Sequence, residues 1–99
     1  MNQLELPEPI MFEWDSYNQT KIRLRQNIIP EEAEQACFSR NAVIFDTKHS
    51  SAEQRYQLIG FSGVGRMLFI VFTIRKNKIR IISARSASKK ERANYAKKT

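Results

Sequence analysis

The chain has 99 residues, 41% of them hydrophobic, so it points to one globular domain, taken as 1–99 with a core of about 10–97. Its longest apolar run, Met67 to Phe72, is too short to span a bilayer, and no secretory signal pattern is visible at the N-terminus. Cys37 is the only cysteine, which excludes an internal disulfide and a zinc site built on two or more thiolates, and fits a reducing cytoplasm.

The elements follow in chain order. Glu8 to Trp14 reads as a short strand after Pro9. Asp15 to Asn27 reads as a helix with Asp15 or Ser16 as its cap and Asn27 as a left-handed stop. Pro30 to Phe38 reads as a second helix: Pro30 fits the first helical position, Glu31 and Glu32 suit the positive end of the dipole, and Ala33, Ala36 and Cys37 share one face. Phe12, Trp14, Tyr17 and Phe38 are expected to pack in the core or between helices.

The remainder reads largely as strand. Asn41 to Asp46 is short and apolar, and Asp46 to Gln54 is a polar loop. Arg55 to Ser62 alternates, with Tyr56 and Leu58 on one side and Arg55, Gln57, Ile59 and Phe61 on the other. Gly63 and Gly65 make a turn. Met67 to Arg75 reads as a central strand covered on both faces. Lys76 to Lys78 closes a hairpin, and Ile79 to Ser86 pairs back. Ser88 to Lys98 reads as a final helix opened by a Ser-x-x-Glu capping box. Together these give an α+β fold: a mainly antiparallel twisted sheet with N-terminal helices and a C-terminal helix.

The net charge of +7 is uneven. From Arg75 onward there are ten Lys or Arg against one acid, a net of +9, whereas Met1 to Ile74 carries a net of −2. That asymmetry points to a polyanionic partner such as nucleic acid. The plainer alternative is a solvated basic tail. Within this quarter Arg75, Arg80 and Arg85 lie on or beside one hairpin, with Arg55 on the strand next to it. Guanidinium forks match phosphate oxygens and the charge of a phosphorane. The plainer alternative is that each pairs with a local acid. Arg80 and Arg85 converge only if the twisted sheet brings them to one concave face.

His49 is the single histidine, and its ordinary pKa suits proton transfer. Glu53 follows four residues later, so the two divide naturally into acid and base; an exposed loop histidine is the alternative. Lys48 is a weaker electrostatic candidate. Tyr56 and Tyr95 either stack on bases or pack. No phosphate-binding glycine loop, carboxylate metal site or Ser-His-Asp arrangement is readable, and no cofactor is expected.

Five segments together resemble a known family: Phe12 to Asp15 (FEWD), Glu31 to Ala33 (EEA), His49 to Ser62 (HSSAEQRYQLIGFS), Thr73 to Arg75 (TIR) and Arg80 to Tyr95 (RIISARSASKKERANY). Their order and spacing are similar to those of the BrnT toxins of bacterial type II toxin–antitoxin modules. The resemblance implies a RelE-like fold and a metal-free ribonuclease. It would cut RNA by 2′-hydroxyl attack, block translation and act in the cytoplasm. A BrnA-like antitoxin would neutralise it, and operator DNA would be met only through the toxin–antitoxin complex. Carried over by position, the catalytic candidates are His49, Glu53, Arg55, Arg80 and Arg85. Lys48, Arg75, Lys78 and Tyr95 are the RNA-binding candidates, while Ser83, Glu91 and Arg92 match as structural positions. Gln26 stands where the family usually has histidine. The competing function is a non-catalytic nucleic-acid-binding or antitoxin-docking module.

Overall fold

A computed structural model describes residues 6–19, 27–46 and 53–98. Its elements are α1 (Pro30–Phe38), β1 (Ala42–Phe45), β2 (Tyr56–Phe61), β3 (Met67–Arg75), β4 (Lys78–Ser86) and α2 (Lys89–Lys98). The four strands form one antiparallel sheet in the order β1-β2-β3-β4, so each strand pairs with its neighbour in sequence. Helices and an antiparallel sheet make the fold α+β.

Strand periodicity decides where the core lies. Leu58, Leu68, Ile70, Phe72, Ile79, Ile81 and Ala84 point to one face and are fully buried against Ala33, Ala36 and Cys37 of α1. Burial pushes the Cys37 thiol up to about 12, so it stays protonated at neutral pH. The other face carries Gln57, Ile59, Phe69 and Val71, all only half-buried. β3 is therefore central, as expected, but only its α1 face is fully covered.

Two contacts fix the layers. Glu32 of α1 takes both carboxylate oxygens to Arg66 Nη2, at 2.8 and 2.9 Å, tying the helix to the β2–β3 turn. The helix also lies close on β2 at Gly60: a Cβ there would sit 2.5 Å from the Ala36 carbonyl oxygen.

The β3–β4 turn is tighter than the sequence reading. It consists of Lys76 and Asn77 alone, with φ of 49° and 64°, the backbone of a type I′ hairpin. Asparagine accepts this region, but lysine pays for its Cβ there. Replacing the pair with Asn-Gly (Lys76→Asn, Asn77→Gly) is expected to raise stability by roughly 1 kcal/mol, or about 4–8 °C in melting temperature. A thermal melt checks it.

The N-terminal region departs most from the sequence reading. Glu8 to Trp14 is not a strand. It contributes one parallel bridge, Phe12 to Ile79 on the outer edge of β4, because Pro7 and Pro9 supply no backbone donors. The following helix begins as read: residues 16–19 are helical. Asp15 Oδ1 accepts from the Asn18 N–H while Asn18 Oδ1 accepts from the Asp15 N–H. Residues 20–26 lie outside the description, and Asn27 adopts the expected left-handed backbone, φ 54°. Tyr17 and Phe38 are not core residues; they are 71% and 65% exposed. Asn18 takes the inward helical position beside Tyr17, and Phe38 lies off the Ala33–Ala36–Cys37 stripe, in an edge-type ring contact with Phe12.

Candidate functional site

The register brings the arginines to one face by a device that simple alternation would miss. Arg80 and Arg85 are five residues apart, so a regular strand would send them to opposite faces. β4 is not regular. Phe72 pairs with Ile81 and Val71 with Ser83, so Ile82 is an extra residue in a β-bulge. Arg80 then faces Thr73 and Arg85 faces Phe69, four residues apart on β3. Both arginines consequently share the face opposite α1. The bulge leaves a ladder group to satisfy, and buried Asn18 meets it by donating Nδ2 to the Ile81 carbonyl, 3.2 Å.

Arg75 pairs with Lys78 across the turn and lies on the same face. Arg55, just before β2, continues the phase of Gln57; its carbonyl accepts from the Asp46 N–H at 2.8 Å. The spacing of β3 separates the Arg80 and Arg85 positions by about 13 Å along the strand. The sheet thus carries its arginines at two separate ends rather than in one convergent cluster.

The ends differ electrostatically. At the first, Arg80 donates to Asp15 at 2.7 Å and to Glu13 at 3.4 Å. Arg75 donates Nε to Glu53 at 3.1 Å and lies 3.8 Å from Glu13. Three carboxylates face two guanidiniums, and the Arg80 side chain is only 18% exposed. Hydrogen bonding to Asp15 raises the Arg80 pKa further. The Asn18 N–H first, and Arg80 next, hold the Asp15 carboxyl below its ordinary range. The plainer reading of these arginines, pairing with local acids, is what the geometry shows.

At the second end, Arg85 makes a bidentate bridge to Glu91, 2.8 and 2.7 Å, and lies 4.4 Å from the centroid of Phe69. Glu91 also closes the expected capping box: its Oε1 accepts from the Ser88 N–H, 2.9 Å, and Ser88 Oγ accepts from the Glu91 N–H, 3.2 Å. Burial works to raise the Glu91 pKa, but the Arg85 fork and Ser88 outweigh it and hold it low. Here one acid faces one arginine, and Lys89, Lys90, Arg92 and Lys97 of α2 add exposed positive charge.

The remaining candidates fall as follows. Tyr95 is buried, its ring edge-on to Phe61 and its hydroxyl donating to the Arg40 carbonyl at 2.8 Å. Lys78 is half-buried opposite Arg75. Lys48 and His49 lie outside the described residues. Among the described residues, no group of three or more His, Cys, Asp or Glu is arranged to hold a metal, and no helix is long and apolar enough to cross a membrane.

Sequence reasoning missed the acids of the FEWD segment as partners of Arg80. It also missed a groove beside α2, lined by Ala42, Ile44, Gln57, Ile59, Phe69, Glu91 and Asn94. The first had a signal: an acidic segment far from a basic hairpin in sequence needs a partner once both fold. The bulge had one too, since consecutive Ile81 and Ile82 break the alternation.

Acid should loosen both ends and the Glu32–Arg66 tie. Burial raises the Glu32 pKa, but the Arg66 fork, the Ile29 N–H and Ser62 outweigh it, so it too lies below its ordinary value. A carboxylate whose folded pKa is depressed stabilises fully above its ordinary value, here 3.8 for Asp and 4.5 for Glu, and loses that contribution as pH falls through the folded value. The urea midpoint is therefore expected to be flat from pH 7 to about 5 and to fall steadily below it. Glu91→Gln and Glu32→Gln should each flatten part of that fall.

The sheet has one sealed face, against α1, and one half-open face that carries Arg75, Arg80 and Arg85. The BrnT family model, for the ribonuclease toxin of type II toxin–antitoxin systems, matches residues 14–91, and the chain belongs to that family of toxin ribonucleases. A search of curated proteins finds no match.

Proposed function

We propose that this chain, acting as a single domain over 1–99, is an endoribonuclease toxin that cleaves RNA without a metal. The ribose 2′-oxygen attacks the adjacent phosphorus and the P–O5′ bond breaks, leaving a 2′,3′-cyclic phosphate and a 5′-hydroxyl. The cuts inhibit translation in the cytoplasm. A BrnA-like antitoxin neutralises the protein, which meets operator DNA only through their complex. A RelE-like sheet is part of the same reading.

The observation that carries this proposal is the family match together with Arg85 on the half-open face beside a cationic helix. Arg85 is the first choice for gripping the scissile phosphate and the charge that develops on it. Arg55 and Lys78 supply further positive charge along the same face. Arg80 and Arg75 chiefly hold the acidic N-terminal segment on β4. His49 and Glu53 are the proton-transfer pair, with His49 assigned on its chemistry alone and Lys48 as electrostatic support. Glu53 already contacts Arg75, so its carboxylate is held beside the face. Tyr95 is assigned to packing.

One observation favours a second reading. Arg75, Arg80 and Arg85 all have carboxylate partners, which suits a passive binder as well as an enzyme. Incubating the purified protein with single-stranded RNA, with and without EDTA, separates the two. The enzyme gives cyclic-phosphate ends in both samples. RNA that binds and stays intact establishes the passive module. Cleavage lost in EDTA overturns the metal-free mechanism.

A further inference from the structure

The groove beside α2 is used by none of the roles assigned so far. Its cavity of about 60 Å³ lies on the half-open face of the sheet, where Ala42, Ile44, Ile59 and Phe69 make an apolar floor. Cross-strand pairing sets that floor: Ala42 faces Ile59 and Ile59 faces Phe69, whose other neighbour is Arg85. Gln57 and Asn94 also line it, although its surface is almost wholly apolar.

The charged residue of its lining is Glu91, whose carboxylate is already bridged by Arg85. Asn94 lines the groove, and helix geometry puts positions 90, 94 and 97 on one stripe. Lys90 and Lys97, both exposed, share that stripe with Asn94. Arg85 spends three hydrogens on Glu91 and the Ser86 carbonyl. Its Nε–H and one Nη2 hydrogen have no partner among the described residues. The Glu91 bridge and Phe69 hold the guanidinium plane while those hydrogens remain for a second acceptor.

We propose that this groove is a nucleotide subsite: one RNA base lies on the Ile44–Ile59–Phe69 floor and its phosphate is held by Arg85 with Lys90 and Lys97. An apolar slot accepts the face of any base, whereas the Gln57 and Asn94 amides can meet a base edge. An anionic group on a ligand there would meet Arg85 beside Phe69 and the exposed Lys90 and Lys97 of α2. The proposal rests on the ribonuclease activity of the family and adds where the substrate sits.

The test uses fluorescein-labelled single-stranded RNA hexamers with 2′-O-methyl riboses, which cannot attack the phosphate, and a set in which one nucleotide at a time is abasic. Asn94→Trp caps the groove from an exposed helical position and leaves the fold intact. Gln57→Ala with Asn94→Ala removes the amides without adding bulk. In the unmodified protein, one abasic position should weaken binding about tenfold. Asn94→Trp should weaken the intact hexamer by a similar factor and erase the positional effect. The amide variant should fall between. Equal affinity of the unmodified protein and Asn94→Trp for every hexamer overturns the subsite. So does an Asn94→Trp variant that cleaves RNA normally yet escapes neutralisation by a co-expressed antitoxin, which assigns the groove to the partner protein. Failure of the unmodified protein to bind or cut any RNA instead rejects the ribonuclease reading on which the subsite rests.

Discussion

Arg85→Gln should lower the RNA cleavage rate by about 10²–10³-fold, the usual cost of removing a donor aimed at developing negative charge. Glutamine keeps a polar group of similar length but loses the fork and the charge. The substitution also leaves Glu91 without its bidentate partner, so a stability loss of about 1 kcal/mol is expected. That loss is too small to unfold the protein at 25 °C, and a melting curve recorded beside the rate separates the two effects. Arg80→Gln is the informative contrast. Arg80 lies among Asp15, Glu13 and Arg75, where carboxylates already occupy its donors. Its loss should cost no more than about tenfold in rate and about 1 kcal/mol in stability. If the two variants exchange behaviour, phosphate binding belongs to the Arg80 end, and the carboxylates there must give way to RNA.

Gly60→Ala should be the most destabilising single methyl addition in the sheet. The new Cβ would stand 2.5 Å from the Ala36 carbonyl oxygen and 2.8 Å from Ser39 Oγ. The obstacle is backbone, and Ser39 cannot swing away freely. Its hydroxyl donates to the Ala36 carbonyl at 2.7 Å and accepts from the Phe61 N–H at 2.9 Å. Relief requires α1 to lift from β2, which opens the layer holding Ala33, Ala36 and Leu58. Overpacking of this kind costs about 3 kcal/mol, or roughly 15 °C in melting temperature for a chain of this size. Because α1 lies on the sealed face, cleavage at temperatures well below the melt should be nearly unchanged. A melt within about 2 °C of the unmodified protein would contradict so close an approach of α1 to β2.

Much of this was legible in the sequence. Alternation in Arg55 to Ser62 placed Tyr56 and Leu58 on the core face, and proline at position 30 set the start of α1. The Ser88–Glu91 spacing formed the capping box it promised. What failed was long-range. Nothing local says that Glu13 and Asp15 will meet Arg80, because a parallel bridge between Phe12 and Ile79 depends on the whole sheet being in place. The direction of Arg85 relative to Arg80 had only a faint local trace, the Ile81–Ile82 break in alternation. It turns on one bulged residue, Ile82, and on Asn18 arriving from a distant segment to take the Ile81 carbonyl. The groove beside α2 is assembled from three strands and a helix, and its apolar residues look like ordinary core residues when read in line.

The central claim is that RNA lies on the half-open sheet face at the Arg85 end, against α2. A ¹H–¹⁵N correlation spectrum of labelled protein titrated with a 2′-O-methyl RNA hexamer tests it directly. Shifts concentrated at Ile59, Phe69, Arg85, Glu91 and Asn94, weakening as salt is raised because bound phosphates release counterions, are the predicted result. Shifts confined to Glu13, Asp15, Thr73 and Arg80, or to α1 on the opposite face, would contradict it.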